Sequence, residues 1–232
     1  MILNAFNLEG KVALITGCNT GLGQGMAVGL AQAGCDIVGV NHSGADDTPG
    51  LVEATGRRFV NINADLMDSS CIPQVVEQAV AAFGRIDILV NNAGIIRRQD
   101  AIEFSEKDWD DVMNINSKTV FFMSQAVARQ FIKQGNGGAS KSAVMGLTRL
   151  MANEWAAHNI NVNAIAPGYM ATNNTEQLRN DEGRSQEILG RIPAGRWGKP
   201  DDMMGPVVFL ASSASDYVNG YTLAVDGGWL AR

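Results

Sequence analysis

Residues 11–30 read KVALITGCNTGLGQGMAVGL and decide the fold of this chain. The run Val12–Thr16 is short, apolar and partly β-branched, which predicts a buried parallel strand. Glycines follow at Gly17, Gly21 and Gly23, and an apolar pattern of helical period begins after the second of them. A strand, a glycine turn and a helix in this order present backbone N–H groups to a phosphate. The spacing GxxxGxG differs from the common fingerprint GxGxxG, so a βα turn without a ligand is the alternative.

The rest of the chain alternates between strand-like and helix-like segments. Apolar runs predict further strands at residues 35–40, 58–62, 85–90, 160–166 and 222–225. Periodic segments predict helices at residues 73–83, 108–134, 139–157 and 201–211, and the polar residues 169–200 predict a lid with short helical pieces. Such alternation implies right-handed crossovers and a parallel sheet with helices on both faces. We therefore expect a doubly wound α/β fold of Rossmann type, as a single domain over residues 1–232.

Composition and charge exclude several classes of protein. The net charge of −6 argues against a nucleic-acid partner, because such proteins carry a basic surplus. We expect no membrane span, since charges or glycines interrupt each apolar run, and the first ten residues lack the pattern of a signal peptide. Three widely spaced cysteines favour a reducing cytoplasm, and with only two histidines no metal site is expected.

Seven short motifs make the chain resemble the short-chain dehydrogenase/reductase family over essentially its whole length. They are TGCNTGLG at 16–23, DL at 65–66, NNAG at 91–94, Asn116, ASK at 139–141, PG at 167–168 with Thr172, and DGG at 226–228. Within the family, RIPAGRWGKPD at 191–201 and NAGIIRR at 92–98 resemble bacterial dehydrogenases of deoxy-sugar acids. The resemblance implies hydride transfer between a nicotinamide dinucleotide and a secondary alcohol or ketone. It also implies a homotetramer built from the two long helices and the C-terminal strand.

The resemblance further implies a set of dinucleotide contacts. The residues that it assigns to the dinucleotide are Gly17, Asn19, Thr20, Gly21, Leu22, Gly23, Asn41, Asp65, Leu66, Asn92, Ala93, Gly94, Lys141, Pro167, Gly168 and Thr172. Single members also fit structural roles: Asp65 alone fits a helix N-cap equally well, and NNAG fits a turn after a strand. Their occurrence together favours the dinucleotide site.

The residues after the second strand favour NAD over NADP. An acidic residue there bonds the ribose 2′-hydroxyl in NAD-dependent proteins, and a nearby Arg accommodates the 2′-phosphate of NADP. Asn41, His42 and Ser43 occupy this position, and the glycine turn carries Cys18 and Asn19. A phosphate with no fixed cation beside it would be held poorly, although His42 keeps NADP open.

The catalytic centre of the family is incomplete in this sequence. The resemblance requires a Tyr four residues before Lys141 and a Ser at the end of a fifth strand. Gly137 stands at the Tyr position, and two predicted helices meet with no strand between them. Because an empty central slot would leave buried backbone groups unpaired, we expect that roughly twenty residues between Gly138 and Ala139 are absent from this sequence but present in the full protein. The alternative is a real deletion that leaves a catalytically inactive chain.

The resemblance also gives roles to two residues near this break. Lys141 would lower the pKa of the missing Tyr, the general acid and base, and would bond the nicotinamide ribose. Asn116 would hold a water molecule that links Lys141 to solvent. The structural alternative for Lys141 is a solvated lysine on a helix, and the structural alternative for Asn116 is a polar residue within a helix.

Arginine side chains are the candidates for binding an anionic substrate. Arg97 and Arg98 follow NNAG closely, and a guanidinium can hold a carboxylate through two hydrogen bonds. Arg191 and Arg196 are rivals from the lid, and each of the four also fits a solvated surface residue. The leading function is an NAD-dependent dehydrogenase of a deoxy-sugar acid. The alternatives are a 3-oxoacyl thioester reductase and a non-catalytic dinucleotide-binding protein.

Overall fold

A parallel sheet, with seven strands among the described residues, is the framework of the protein. The computed structural model describes residues 1–135, the backbone of residues 139–141, and residues 145–232. The strands are β1 Val12–Thr16, β2 Asp36–Asn41, β3 Phe59–Asn63, β4 Ile88–Val90, β5 Ala139–Lys141, β6 Asn161–Pro167 and β7 Thr222–Val225. Their order across the sheet is β3-β2-β1-β4-β5-β6-β7, which confirms the doubly wound Rossmann-type arrangement.

Helices cover both faces of this sheet. They are α1 Gly21–Gln32, α2 Thr48–Glu53, α3 Ile72–Phe83, α4 Glu106–Met113, α5 Val120–Gln134, α6 Met145–Trp155, α7 Glu176–Asn180, α8 Glu182–Arg191 and α9 Met204–Ala211. No helix in the described part of the chain is both long enough and apolar enough to span a bilayer.

The central strand β1 contributes to two separate hydrophobic clusters. Val12 and Leu14 pack in the cluster that includes α3, α5 and α6, whereas Ala13 and Ile15 pack in the cluster that includes α1 and α9. Successive side chains of a strand point to opposite faces, so a strand covered on both sides must be apolar throughout. All five residues of β1 are buried, as its unbroken apolar run requires.

The middle of the sheet differs from the sequence prediction. We expected a helix over residues 139–157 and an empty strand slot, but Ala139–Lys141 forms β5 and the helix α6 begins at Met145. β5 pairs with residues 88–90 of β4 on one side and with residues 161–163 of β6 on the other. Two facing strand edges with unpaired N–H and C=O groups cost more than the helical tendency of three residues can offset. The slot is therefore filled by a strand of three residues.

The predicted long helix over residues 108–134 is also interrupted. A π-helical segment, Asn114–Thr119, separates α4 from α5 and contains Asn116. The Asn116 Oδ1 atom accepts a hydrogen bond from the Ile95 N–H at 3.0 Å, and its Nδ2 atom donates to the Ile95 carbonyl at 2.9 Å. Insertions of this type occur frequently near functional sites. Here the segment directs Asn116 to the loop that follows β4.

Candidate functional site

A cavity of about 560 Å³ opens at the carboxyl ends of the strands, where the sheet order reverses between β1 and β4. Open α/β sheets bind their ligands in this crevice, and small-molecule sites measure roughly 300–1,000 Å³. Most of the residues predicted to contact a dinucleotide line it. They are Gly17, Asn19, Thr20, Gly21, Leu22, Gly23, Asp65, Leu66, Asn92, Ala93, Gly94 and Thr172.

The glycine turn after β1 is pressed against the loop after β4. Gly17 has a φ of +65°, and a Cβ atom there would lie 2.9 Å from the Ala93 Cα atom. A Cβ atom on Gly23 would overlap the Gly17 carbonyl and lie 2.5 Å from the Asn92 Nδ2 atom. Glycine is therefore required at both positions. Gly17, Gly21 and Gly23 thus put backbone without side chains in the lining of the cavity, and a diphosphate can approach such backbone closely.

Thr16 and Asn92 join the two loops. The Thr16 Oγ1 atom accepts hydrogen bonds from the N–H groups of Asn92 and Ala93, both at 3.0 Å. The Asn92 Nδ2 atom donates to the Gly17 carbonyl at 2.7 Å. The side chain of Asn92 is thus used to hold the glycine turn in place.

Asn41 supports the same turn from behind. Its Oδ1 atom accepts hydrogen bonds from the N–H groups of Cys18 at 2.8 Å and Asn19 at 3.1 Å, and its Nδ2 atom donates to the Asn61 Oδ1 atom at 2.7 Å. Asn41 is 2% exposed and is not among the described residues that line the cavity. Its neighbour His42, which the sequence analysis left as a possible contact for NADP, lines the cavity instead. Side chains alternate along β2, so a residue next to Asn41 must face the other way.

Cys18 lies in the glycine turn as a buried thiol. Burial raises the pKa of the Cys18 thiol to about 11, against a smaller lowering by the hydrogen bond from Asn41. The Asn41 Nδ2 atom is 3.7 Å from the sulfur. The thiol stays protonated at neutral pH and is not an activated nucleophile.

The rim of the cavity near β2 and β3 carries negative charge. One carboxylate oxygen of Asp65 accepts a hydrogen bond from the Met67 N–H at 2.9 Å, and the other lies 4.0 Å from the His42 Nε2 atom. The Asn19 side chain, also at this rim, donates to the Asp46 carboxylate at 2.9 Å. Among the described residues that line the cavity, none is a Lys or an Arg.

The turn at Thr172 closes the opposite side of the cavity. A Cβ atom on Gly21 would lie 3.6 Å from the Thr172 Cγ2 atom, so the two segments nearly touch across the opening. The Thr172 N–H donates to Thr175 Oγ1 at 3.2 Å, and the Arg179 Nη2 atom donates to the Thr172 carbonyl at 3.2 Å. Arg179 therefore ties α7 to this turn.

Three predicted dinucleotide residues besides Asn41 lie outside the described lining. β6 ends at Pro167, and Gly168 packs so closely on Asp226 that a Cβ atom would lie 2.6 Å from the Asp226 Cα atom. The backbone of Lys141 lies in β5, in register with Val90. Its side chain lies outside the described residues, as does the predicted break between Gly138 and Ala139.

The two arginines that follow NNAG have different partners. The Arg97 Nε atom lies 3.2 Å from Asp108, and its Nη2 atom lies 3.9 Å from Asp111. The Arg98 Nη2 atom donates to the Asn174 carbonyl at 3.0 Å, and no carboxylate of the described residues lies within ion-pair distance of Arg98. Asn174 lines the cavity. Arg98 is therefore the better placed of the two to bind an anion there.

The two rival arginines of residues 169–200 are already engaged. Arg196 pairs with Asp202 through hydrogen bonds of 2.7 and 2.8 Å. The hydrogen bond from Arg196 lowers the pKa of the Asp202 carboxyl to about 2. The guanidinium of Arg191 lies 4.4 Å from the centre of the Trp229 ring. Both contacts favour structural roles for these residues.

Two family models match the chain. The short chain dehydrogenase model matches residues 11–138, more than half of the chain, and the enoyl-(acyl carrier protein) reductase model matches residues 133–230. The chain belongs to the short-chain dehydrogenase family. It is an NAD(P)-dependent dehydrogenase/reductase of the class that acts on CH–OH groups.

A curated relative aligns with this chain over more positions than the chain has residues. The 2-dehydro-3-deoxy-D-gluconate 5-dehydrogenase of Dickeya dadantii is 71% identical over 253 residues, with 100% of both chains covered. This alignment is 21 positions longer than the 232 residues of the present chain, so it contains internal positions that this chain lacks. The difference has the size of the segment expected from the sequence. The first family match ends at Gly138, next to the predicted break.

Solved structures agree with the fold. A protein of Agrobacterium tumefaciens, provisionally assigned as a 2-deoxy-D-gluconate 3-dehydrogenase and holding NADP, is 48% identical with a TM-score of 0.91 over 99% of this chain and 100% of that chain. The gluconate 5-dehydrogenase of Burkholderia cenocepacia J2315, in complex with NADP and tartrate, is 36% identical with a TM-score of 0.93 over 100% of both chains.

Proposed function

We propose that this protein is an NAD-dependent dehydrogenase that interconverts a secondary alcohol and a ketone on a deoxy-sugar acid of the 2-dehydro-3-deoxy-D-gluconate or 2-deoxy-D-gluconate type. The observation that carries the proposal is the convergence of the glycine turn, the NNAG loop and the Thr172 turn on one cavity at the β1/β4 switch point. The similarity to the Dickeya protein over its full length supports the substrate class.

The bare backbone of the glycine turn is the proposed diphosphate site. When bound, the nicotinamide supplies or accepts a hydride. Gly17, Gly21 and Gly23 admit the diphosphate, and Asp65 accepts from the adenine amino group while Leu66 packs on the ring. The remaining lining residues of the predicted set contact the two riboses and the nicotinamide end. Asn41, Pro167 and Gly168 act by supporting these contacts.

The charge of the cavity rim supports NAD as the preferred cofactor. A 2′-phosphate would meet the carboxylate of Asp65, with His42 as the one basic side chain of the described lining, and Asp46 adds a second carboxylate behind Asn19. Carboxylates repel phosphate, whereas they can accept a hydrogen bond from a ribose hydroxyl. NADP is the competing cofactor because both solved structures described above hold it.

A segment that this sequence lacks completes the proposed catalytic centre. We assign the general acid to a Tyr in about 21 residues between Gly138 and Ala139, a size taken from the longer alignment. The Tyr hydroxyl gives its proton to the ketone oxygen, a Ser orients the carbonyl, and Lys141 and Asn116 support the Tyr. A real deletion would leave a non-catalytic dinucleotide-binding chain.

Arg98 is the proposed partner of the substrate carboxylate, with Arg97 as the matched control. Both follow the NNAG loop, but Arg97 already faces two carboxylates whereas Arg98 bonds one carbonyl. In protein that carries the Ser/Tyr segment, Arg98→Gln should raise KM for 2-dehydro-3-deoxy-D-gluconate about tenfold or more, and KM for a neutral secondary alcohol by much less. The assay follows reduction of NAD. Equal effects on both substrates, or a larger effect from Arg97→Gln, would contradict the assignment.

The segment 169–200 is proposed to act as a lid on this single domain. Thr172, Asn173 and Asn174 line the cavity, and Arg179 holds the Thr172 turn against α7. The Nε atom of Arg179 is buried and has no hydrogen-bond partner in the described part of the chain, so this side chain can gain a bond when the lid moves.

A homotetramer in the cytoplasm is the proposed state of the protein. Apolar side chains are exposed on α5, on α6 and just before the edge strand β7, among them Phe122, Leu150 and Tyr221. Exposed apolar patches of this kind are typical of subunit interfaces. The three cysteines are free, as a reducing compartment would keep them. Sedimentation equilibrium should give four subunits, and Phe122→Lys should lower that number; a monomeric wild type would contradict the proposal.

A further inference from the structure

Two carbonyl groups of the glycine turn are bonded on the side away from the cavity. The Thr48 Oγ1 atom, at the start of α2, donates to the Cys18 carbonyl at 2.8 Å and shares this hydrogen bond with the Asn19 carbonyl at 3.1 Å. The Gln24 Nε2 atom of α1 donates to the same Asn19 carbonyl at 3.1 Å and to the Thr48 Oγ1 atom at 3.0 Å. Thr48 is fully buried, and neither Thr48 nor Gln24 is among the described residues that line the cavity. These carbonyls therefore face α2 rather than the cavity.

The same bonds fix the direction of the peptide group between Asn19 and Thr20. The C=O and N–H groups of a trans peptide point in opposite directions, and the described part of the chain contains no cis peptide. Since the Asn19 carbonyl is held towards α2, the Thr20 N–H points to the other side, where Thr20 lines the cavity. The N–H groups of Cys18 and Asn19 donate to Asn41, whereas the Thr20 N–H has no acceptor among the described residues. The Thr20 N–H therefore stays available to a ligand.

We infer that Thr48 and Gln24 are positioning residues for the dinucleotide, because they hold the peptide group between Asn19 and Thr20 with its N–H towards the diphosphate. The inference rests on the proposed function, since it needs a dinucleotide in the cavity. If this peptide group turned over, the Asn19 carbonyl would face the phosphate oxygens and repel them, and a backbone donor would be lost. A donor that is aligned beforehand binds an anion without the cost of ordering the backbone during binding.

The test separates the phosphate part of the ligand from its nucleoside part. Dissociation constants of NADH, ADP and adenosine are measured by fluorescence titration of NADH and by its displacement, for the wild type, Thr48→Val and Thr48→Ser. Valine keeps the shape of the side chain but cannot donate, whereas serine keeps the hydroxyl. Thr55→Val is the matched control, because the Thr55 hydroxyl bonds the Val52 carbonyl at the opposite end of α2. Binding needs no hydride transfer, so the chain of 232 residues suffices.

The expected result is a loss that depends on the phosphates and on the Thr48 hydroxyl. Thr48→Val should raise the Kd of NADH and of ADP about fivefold or more, and the Kd of adenosine less than about twofold, because adenosine carries no phosphate. Thr48→Ser and Thr55→Val should bind all three ligands like the wild type. Gln24→Leu removes the other bond to the Asn19 carbonyl and should give the same pattern as Thr48→Val, so a failure of Thr48→Val to fold leaves a second test in place.

The contrary results separate the inference from the proposed function. Equal weakening of ADP and adenosine would indicate general damage to the cavity and would overturn the inference. Unchanged binding in Thr48→Val and Gln24→Leu, no recovery in Thr48→Ser, or an equal loss in Thr55→Val would also overturn it and leave the proposed function standing. Failure of the wild type to bind NADH and ADP would overturn both.

Discussion

Replacing Asn41 by Ala should damage the glycine turn and the cavity together. The substitution removes the acceptor of the Cys18 and Asn19 N–H groups and the donor to Asn61. A buried donor that loses its partner costs about 1–3 kcal/mol. The Cys18 N–H group is buried and the Asn19 N–H group is only partly buried, so we expect a total loss of about 2–4 kcal/mol in the free energy of unfolding. For a chain of this length, the melting temperature should fall by about 4–16 °C. Because the turn forms the floor of the cavity, the Kd for NADH should rise at least about tenfold.

Asn61→Ala is the matched control for this prediction. It removes the partner of the Asn41 Nδ2 atom but leaves the Asn41 Oδ1 atom free to accept from the turn. The loss should be about 1–2 kcal/mol, because one buried donor loses its acceptor while both N–H groups of the turn keep theirs, and the NADH Kd should change by less than about threefold. Thermal melting and fluorescence titration measure both variants. The reasoning fails if Asn41→Ala melts and binds like the wild type, or if Asn61→Ala shows the same damage.

Other perturbations test separate features of the structure. Gly23→Ala should raise the NADH Kd at least about tenfold, because its Cβ atom would overlap the Gly17 carbonyl. Gly50→Ala in α2 has open space around it and should stabilise the protein by about 0.5–1 kcal/mol, so similar effects of the two substitutions would contradict this reasoning. Arg196→Gln should raise the pKa of Asp202 from about 2 towards its ordinary value. The stabilising effect of the pair should be full above pH ~4 and disappear as the pH falls through 2, so a stability difference between wild type and variant that persists below pH 2 in denaturant melts would refute the prediction. The buried Cys18 thiol should resist iodoacetamide at pH 8 until the protein is unfolded, and rapid labelling of native protein, seen by peptide mass spectrometry, would contradict its burial.

The first βα unit could be predicted from the sequence because local signals agree there. β1 has the predicted bounds, and β2, β3 and β6 begin one residue later than expected. In β1 the apolar run, the glycines and the helical period all indicate the same structure, so no distant contact has to decide between alternatives. The assembly of the cavity follows from the topology, since parallel strands bring their carboxyl ends to one edge.

Two features could not be predicted for physical reasons. The strand β5 has three residues and no apolar run; only the unpaired edges of β4 and β6 make it a strand. Whether the side chain of Asn41 or that of His42 faces the cavity depends on the phase of side-chain alternation at the end of β2. The sequence does not fix that phase where an apolar strand gives way to polar residues, whereas the hydrogen bonds of Asn41 do.

The most direct test of the proposed dehydrogenase is the intact mass of the protein expressed from its own gene, with peptide mapping across Gly138 and Ala139. The proposal predicts a mass that exceeds 24.7 kDa by the mass of about 21 residues. It also predicts a peptide at this junction that contains a Ser and a Tyr, with the Tyr four residues before Lys141. The purified protein should then reduce NAD with 2-dehydro-3-deoxy-D-gluconate. A mass of 24.7 kDa, with Gly138 joined directly to Ala139, would contradict the proposal and leave a chain that binds the dinucleotide without a proton donor.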